Sequence, residues 1–320
     1  MASRPAMSAV INVALPVFAI ILIGFVAGKV RLLGATSSEA LNKFVYWIAL
    51  PPLLFLVMAR SPIEEIAYWP FIKVYLGSII IVWILTAILG RVVHGASAGE
   101  MTMQGMNASF SNTGYMGIPL FVAAFGEAGL PPASLATVMT GAVSIAIAVI
   151  SLELFGTGSK GIVRALRDVG LALVRNPLVV SSALGVFVSA MHWTVPLPIE
   201  TLFQLLGASA SPCALFAIGL FMAGQAVRRD LVEVGWISIV KLFWQPLICW
   251  FLAAAFFPMD PFWLASAIIL AALPTGALTF VVAQNYNIYV QRTSAIILVS
   301  TVASVPLLSV LLAIYQPQFG

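Results

Sequence analysis

The chain has 320 residues, of which 62% are hydrophobic and 8% charged, and its net charge is +4. A soluble domain carries about a quarter charged residues, so the composition excludes a soluble enzyme or binding module and implies a polytopic membrane protein. The excess of Lys and Arg needs no nucleic acid to explain it, because these residues collect in cytoplasmic loops and no basic cluster here is interleaved with base-stacking aromatics.

At about 20 apolar residues per crossing, ten spans are predicted. They cover residues 9–28, 40–59, 70–92, 102–126, 132–154, 173–191, 201–225, 236–257, 262–285 and 293–315. The first is read as a retained span and not a signal peptide. Its apolar core, Ala9 to Ala27, is longer than an ordinary signal core and lacks an Ala-x-Ala cleavage site. Cys213 and Cys249 both fall in apolar segments, which argues against a disulfide framework. His94 and His192 fall in loops with no ligand cluster around them, so no zinc site is expected.

Orientation follows from the positive charges. With both termini outside the cytoplasm, twelve of the 15 Lys and Arg residues face inward, and only Arg4, Arg60 and Lys73 face out. The longest inward connection, Gly156 to Val174, opens on Gly-Thr-Gly-Ser-Lys-Gly161. The spacing of a phosphate-binding loop is absent, and a flexible linker is expected. After it, Lys160, Arg164 and Arg167 share one helical face opposite Ile162, Val163, Leu166 and Val169. That pattern predicts a short amphipathic helix on the inner leaflet, with membrane lipid as its partner.

The linker at 156–172 separates two halves, 1–155 and 173–320, that repeat at an offset of 161–162 residues. Pro16 pairs with Pro177, Gly24 with Gly185, Pro51 with Pro212, Phe55 with Phe216 and Trp83 with Trp244. Thr113-Gly114 pairs with Thr275-Gly276, and Thr140 with Thr301. Each half has five spans, an odd number, so the second must enter the membrane inverted. An inverted repeat is the architecture of many secondary transporters.

The fourth and ninth spans carry helix-breaking residues at midmembrane depth. Asn112, Thr113, Gly114, Tyr115, Gly117 and Pro119 interrupt one, and Pro274, Thr275 and Gly276 the other. Broken helices are tolerated in lipid only where they line a protein cavity. Paired breaks in matching repeat positions mark a transport site. The half-helices that follow should aim N–H groups and positive dipole ends at the centre, which suits a carboxylate. Phe55 and Phe216, one turn after Pro51 and Pro212, are candidates for the wall facing the site.

No acid falls at the midplane, so the carboxylate of a proton symporter is not evident. Lys73, Glu153 and Lys241 are expected near membrane surfaces, where such chains snorkel. Gln245, Gln284 and Asn285 could offer oxygens to a sodium ion, or serve ordinary interhelical bonding. No cofactor is expected, and coupling to Na+ or H+ stays open. A membrane-embedded enzyme would need a nucleophile–base pair or metal ligands, for which the chain offers no set. Gly24-x-x-x-Gly28 fits a helix-packing motif, expected to pack within the chain.

Three stretches together resemble the auxin efflux carrier family, which includes bacterial malonate/malate permeases. They are Asn112-Thr-Gly-Tyr-Met-Gly-Ile-Pro119, Ser211-Pro-Cys-Ala-Leu-Phe-Ala-Ile-Gly219 and Ala272-Leu-Pro-Thr-Gly-Ala277. The resemblance implies an all-α fold like that of bile-acid/sodium symporters, with crossed fourth and ninth spans. It implies a scaffold at 9–59 and 173–225, a mobile core at 70–154 and 236–315, and a homodimer through the scaffold. It further implies a small organic anion as substrate, elevator-type movement and a bacterial cytoplasmic membrane. The alternatives are a sodium-coupled symporter of larger anions and a transporter-like sensor. The chain lacks the long cytoplasmic loop of the plant members, and no counterpart of their site acid is found in the second span.

Overall fold

A computed structural model describes residues 13–155, 162–225 and 230–319. Among these residues all regular structure is helical, apart from one isolated antiparallel bridge between Ser111 and Thr275. The chain is an all-helical membrane protein. In order, the helices are α1 (Leu15–Lys29), α2 (Thr36–Arg60), α3 (Trp69–His94), α4 (Ala98–Ser109), α5 (Ile118–Phe125) and α6 (Leu130–Phe155). There follow α7 (Ile162–Arg175), α8 (Pro177–Ala190), α9 (Leu197–Ala223), α10 (Leu231–Ala255), α11 (Pro261–Ala271), α12 (Leu278–Tyr286) and α13 (Val290–Phe319).

Among the described residues, six helical runs are long and apolar enough to cross a membrane: α2, α3, Thr113–Leu152, α9, α10 and α13. The run Thr113–Leu152 has 40 residues. Straight, it would measure about 60 Å at 1.5 Å per residue, about twice a bilayer core. It is not straight. Gly126 takes φ +61°, and Gly129 sits so close to α5 that an added Cβ would lie 2.6 Å from the Phe121 carbonyl oxygen. The chain therefore folds back between α5 and α6. Helices α1 and α11 are apolar but shorter, and α7 meets α8 at a bend of 71°.

Three of these helices widen by one π-turn just before a proline. The turns are Val45–Ala49 before Pro51, Thr113–Gly117 before Pro119 and Val240–Trp244 before Pro246. Proline has no N–H and its ring crowds the preceding carbonyl. A π-turn accommodates both without ending the helix.

Two helix pairs make the closest approaches. Helix α1 packs along α9, and α8 packs along α2. A Cβ added at Gly24 would lie 2.2 Å from the Phe216 carbonyl oxygen, and one at Gly185 would lie 2.5 Å from the Phe55 carbonyl oxygen. Only glycine allows this backbone approach, which is how membrane helices gain packing without a hydrophobic drive. Gly28 approaches Ala223, with 2.6 Å from its added Cβ to the alanine Cβ. The Gly24-x-x-x-Gly28 motif thus packs within the chain, as expected. A second group joins α3, α4, α6 and α10 to α13.

Charged residues fasten one end of this second group. Arg292 pairs with Asp230 at 2.6 Å, Glu100 at 3.2 Å and Glu233 at 3.3 Å. Glu233 also accepts from Gln104 Nε2 at 2.5 Å and from the Tyr289 hydroxyl. Burial, then the Glu233 carboxylate, pushes the Tyr289 hydroxyl above its ordinary range. Ser97 and Glu100 form a capping box at the start of α4. The backbone N–H of Ser97, foremost, holds the Glu100 carboxyl below its ordinary range.

The structure shifts two boundaries. Helix α10 begins at Leu231, five residues before the expected 236, and α7 runs to Arg175, past the expected linker end at 172. Lys160 and the side chain of Arg164 lie outside the described residues, so the predicted basic face is described only at Arg167, which is exposed.

Candidate functional site

The two predicted breaks meet. The chain leaves α4 at Ser109 and α11 at Ala271. The extended segments that follow pair antiparallel across Ser111 and Thr275. The Asn112 N–H donates to the Pro274 carbonyl at 2.9 Å, and the Gly276 N–H donates to the Phe110 carbonyl at 3.0 Å. A buried backbone group left unpaired costs about 1–3 kcal/mol. Each break therefore satisfies the other, in a region where lipid could satisfy neither.

Beside the crossing opens a cavity of about 920 Å³. Its inner end is lined by Phe110, Ser111, Asn112, Thr113, Gly114 and Tyr115 from the first break, and by Ala277 and Leu278 after the second. Gly114-Tyr115 and Ala277-Leu278 stand in the first turns that follow the breaks. The first N–H groups of a helix lack intrahelical partners, so both positive dipole ends face the cavity. The Asn112 amide and the Thr113 hydroxyl make no side-chain hydrogen bond to any described residue. Tyr115 is anchored through its hydroxyl, which donates to the Asn42 carbonyl at 3.1 Å. A Cβ at Gly114 would meet Thr137 Cγ2 at 3.2 Å, so glycine keeps the turn against α6.

The far wall is a stripe on α2, Asn42, Tyr46 and Leu50, spaced one turn apart. Toward the mouth stand Asn176, Gln225, Gln284 and Asn285, with the exposed ion pair Lys43–Glu39 at 2.7 Å. Phe221 of α9 and Phe280 of α12 meet edge to face at 5.1 Å across the cavity. The inner end carries hydroxyl, amide and backbone groups but no charged side chain.

The remaining predicted site residues lie elsewhere. Pro274, Thr275 and Gly276 do not line the cavity; they hold the crossing together. The Thr275 N–H donates to Ser300 Oγ at 3.1 Å, and its hydroxyl donates to the Asn107 carbonyl at 2.8 Å. A Cβ at Gly276 would strike the Phe110 ring at 2.7 Å. Gly117 and Pro119 are buried, with Gly117 against Leu273 of the other break. Phe55 and Phe216 are absent from the cavity wall. Their backbones receive Gly185 and Gly24, and the Phe55 ring packs edge to face on Phe203 at 5.4 Å. Prolines in α2 and α9 do not turn the following ring inward, because the two glycines draw those backbones together.

Lys241 corrects the surface expectation outright. It is fully buried, and its Nζ donates to the Ala271 carbonyl at 2.6 Å. Because α10 begins at Leu231, Lys241 lies ten residues inside it, about 15 Å along the helix at 1.5 Å per residue. One turn on, Gln245 donates to the Ser109 carbonyl at 3.0 Å and accepts from Ser111 Oγ at 3.5 Å. The Tyr75 hydroxyl accepts from Thr140 at 3.3 Å and also bonds Ser111. Sequence reasoning passed over Ser111 and Tyr75. The Lys241/Gln245 spacing of four residues was the available signal.

Residues 9–312 match the family model described as membrane transport protein. The chain belongs to that family. This transporter is 30% identical over 299 residues to a protein of Rhizobium meliloti (strain 1021) named "Putative malonate transporter", covering 93% of each chain. It is 25% identical over 314 residues to an "Uncharacterized transporter" of Methanothermobacter thermautotrophicus, covering 93% of this chain and 97% of that one. It is 20% identical over 348 residues to auxin efflux carrier component 8 of Arabidopsis thaliana, covering 93% and 95%. The resemblance read from the three motifs is thereby established at the level of the family.

Proposed function

We propose that this membrane transporter carries small organic anions, with malonate-sized carboxylates as the substrate class. The crossing carries the reading: two half-helix N-termini and the unpartnered Asn112 and Thr113 side chains face one cavity. Such a set solvates a carboxylate through N–H and O–H donors without a charged side chain. The name of the Rhizobium relative points to the same class.

The ten-span, five-plus-five inverted repeat is supported by a reciprocal contact. Gly24 meets the Phe216 backbone, and their repeat partners Gly185 and Phe55 meet in the same way. The paired helices α1/α9 and α2/α8 make a natural scaffold. The group joined by the crossing makes a natural moving core, sliding against the scaffold in elevator fashion. The cavity runs toward Lys43 and Asn176, on the side that the charge distribution assigns to the cytoplasm. This is an inward-open state in a bacterial cytoplasmic membrane, with both termini outside and a homodimer through the scaffold.

Uptake of radiolabelled malonate, malate and a monocarboxylate into proteoliposomes tests the substrate class. Saturable uptake that falls in Asn112→Ala is expected. Undiminished transport by the variant removes the site, and no carboxylate flux at all removes the substrate class.

A further inference from the structure

Beside α1 runs a second groove, of about 500 Å³. Phe18, Leu22, Phe25 and Lys29, three or four residues apart, bring one face of α1 to it. Leu298, Val302 and Val305 bring one face of α13 to the other side. Among the described residues α13 makes no extended packing with α1 or α9, so the groove is a seam between the two helix groups. It is open along its length, with Leu22 60% and Val302 58% exposed. Apolar walls without partner atoms forfeit their dispersion contacts. In a bilayer the partner at hand is an acyl chain, which is as apolar as the walls.

The charged and amide groups of the seam gather at one end. Lys29 and Gln225 stand there, beside the contact of Gly28 with Ala223. No acid lines the seam, and Lys29 makes no ion pair among the described residues. Its Nζ lies 5.4 Å from the centroid of the Phe25 ring, whose face holds the cation at the mouth. Arg31, two residues on, is also exposed. Phe18 and Lys29 stand eleven residues apart on α1, about 16 Å at 1.5 Å per residue. That is one leaflet of a core about 30 Å thick. An apolar seam one leaflet long that ends on an unpaired cation matches a phospholipid with an anionic headgroup.

We propose that the seam binds one phospholipid of the inner leaflet, with its acyl chain between α1 and α13 and its anionic headgroup at Lys29. The choice of leaflet rests on the orientation proposed above. Gln225 also lines the mouth of the transport cavity, so the headgroup borders the entrance to the site.

The test uses phosphatidylglycerol with a photoreactive diazirine at mid-chain, and phosphatidylcholine with the same chain as the zwitterionic control. Purified protein in detergent is illuminated and the labelled peptides are mapped. Saturable labelling is expected at 18–25 and 298–305, about fivefold stronger with phosphatidylglycerol. Lys29→Gln, a substitution at an exposed position, is expected to abolish that preference and leave labelling by phosphatidylcholine as in wild type. Labelling spread evenly over other exposed apolar faces, such as Phe243 to Trp250 of α10, overturns the site. So does a seam left unlabelled because a second copy of the chain covers it. An unchanged preference in Lys29→Gln, or equal competition by glycerol phosphate, overturns the lipid headgroup. The readout needs neither transport nor a defined orientation, so failure of the proposed function appears separately from failure of this site.

Discussion

The two breaks occupy matching places in the sequence, yet they are built differently. Around Asn112 the chain leaves donors unpartnered: the amide of Asn112, the hydroxyl of Thr113 and the first turn of the next helix all border the cavity. Around Thr275 the groups of the break itself are engaged, and only the turn that follows, Ala277-Leu278, borders the cavity. The Thr275 N–H and hydroxyl are bonded, the Pro274 carbonyl and Gly276 N–H pair with the first break, and the Ala271 carbonyl holds Lys241. One break presents donors and the other holds them in position. Similar residues in similar places need not share a role, because each environment fixes which polar groups are left for a ligand.

The largest expected effect falls on the open break. A hydrogen bond to a charged ligand is worth about 1.5–3 kcal/mol, so Asn112→Ala should lower carboxylate affinity by about tenfold to a hundredfold. Its melting temperature in detergent should stay near that of wild type. The fastened break should answer in the opposite way. Thr275→Val strips a buried donor from the Asn107 carbonyl and is expected to cost about 1–3 kcal/mol of stability, seen as a lower melting temperature. If Thr275→Val lost affinity with its stability intact, the division of roles between the breaks would be wrong.

Phe55→Ala sharpens the contrast from outside the crossing. Its ring packs on Phe203 and not on the cavity, and an aromatic pair adds about 0.5–1.5 kcal/mol beyond area burial. Stability should fall while the uptake KM stays within about twofold of wild type. A raised KM would return Phe55 to the site wall.

The smallest effect is a pH dependence at the start of α4. The Glu100 carboxyl is held low by the Ser97 N–H first and by Arg292 after. A carboxyl with a lowered folded value contributes stability above its ordinary range, near pH 4.3, and loses it as pH falls through the folded value. The melting temperature of wild type should drop more steeply than that of Glu100→Gln between about pH 6 and about pH 3. Parallel curves would show that the capping box adds nothing.

Much of this was legible in the residues. The breaks at Asn112–Pro119 and Pro274–Gly276 were visible because helix-breaking residues cluster there, at matching positions of two apolar spans. The family followed from the same stretches. What could not be read was where side chains point. Phe55 and Phe216 looked like a wall by analogy with the prolines before them. Their orientation depends on Gly185 and Gly24, more than a hundred residues away. Lys241 looked like a surface residue because it stood near the expected start of its span, but α10 begins about 7 Å earlier along the helix and neighbouring segments bury the side chain.

By itself, the sequence determined the membrane class, the interrupted helices and the polar groups at the breaks, since hydropathy and backbone conformational limits are local properties. Only the tertiary structure decided which break faces the cavity, which is locked, and that a lysine stands behind the crossing. Those depend on the partners that distant segments supply to each buried polar group, and in a dry interior the partner sets the role.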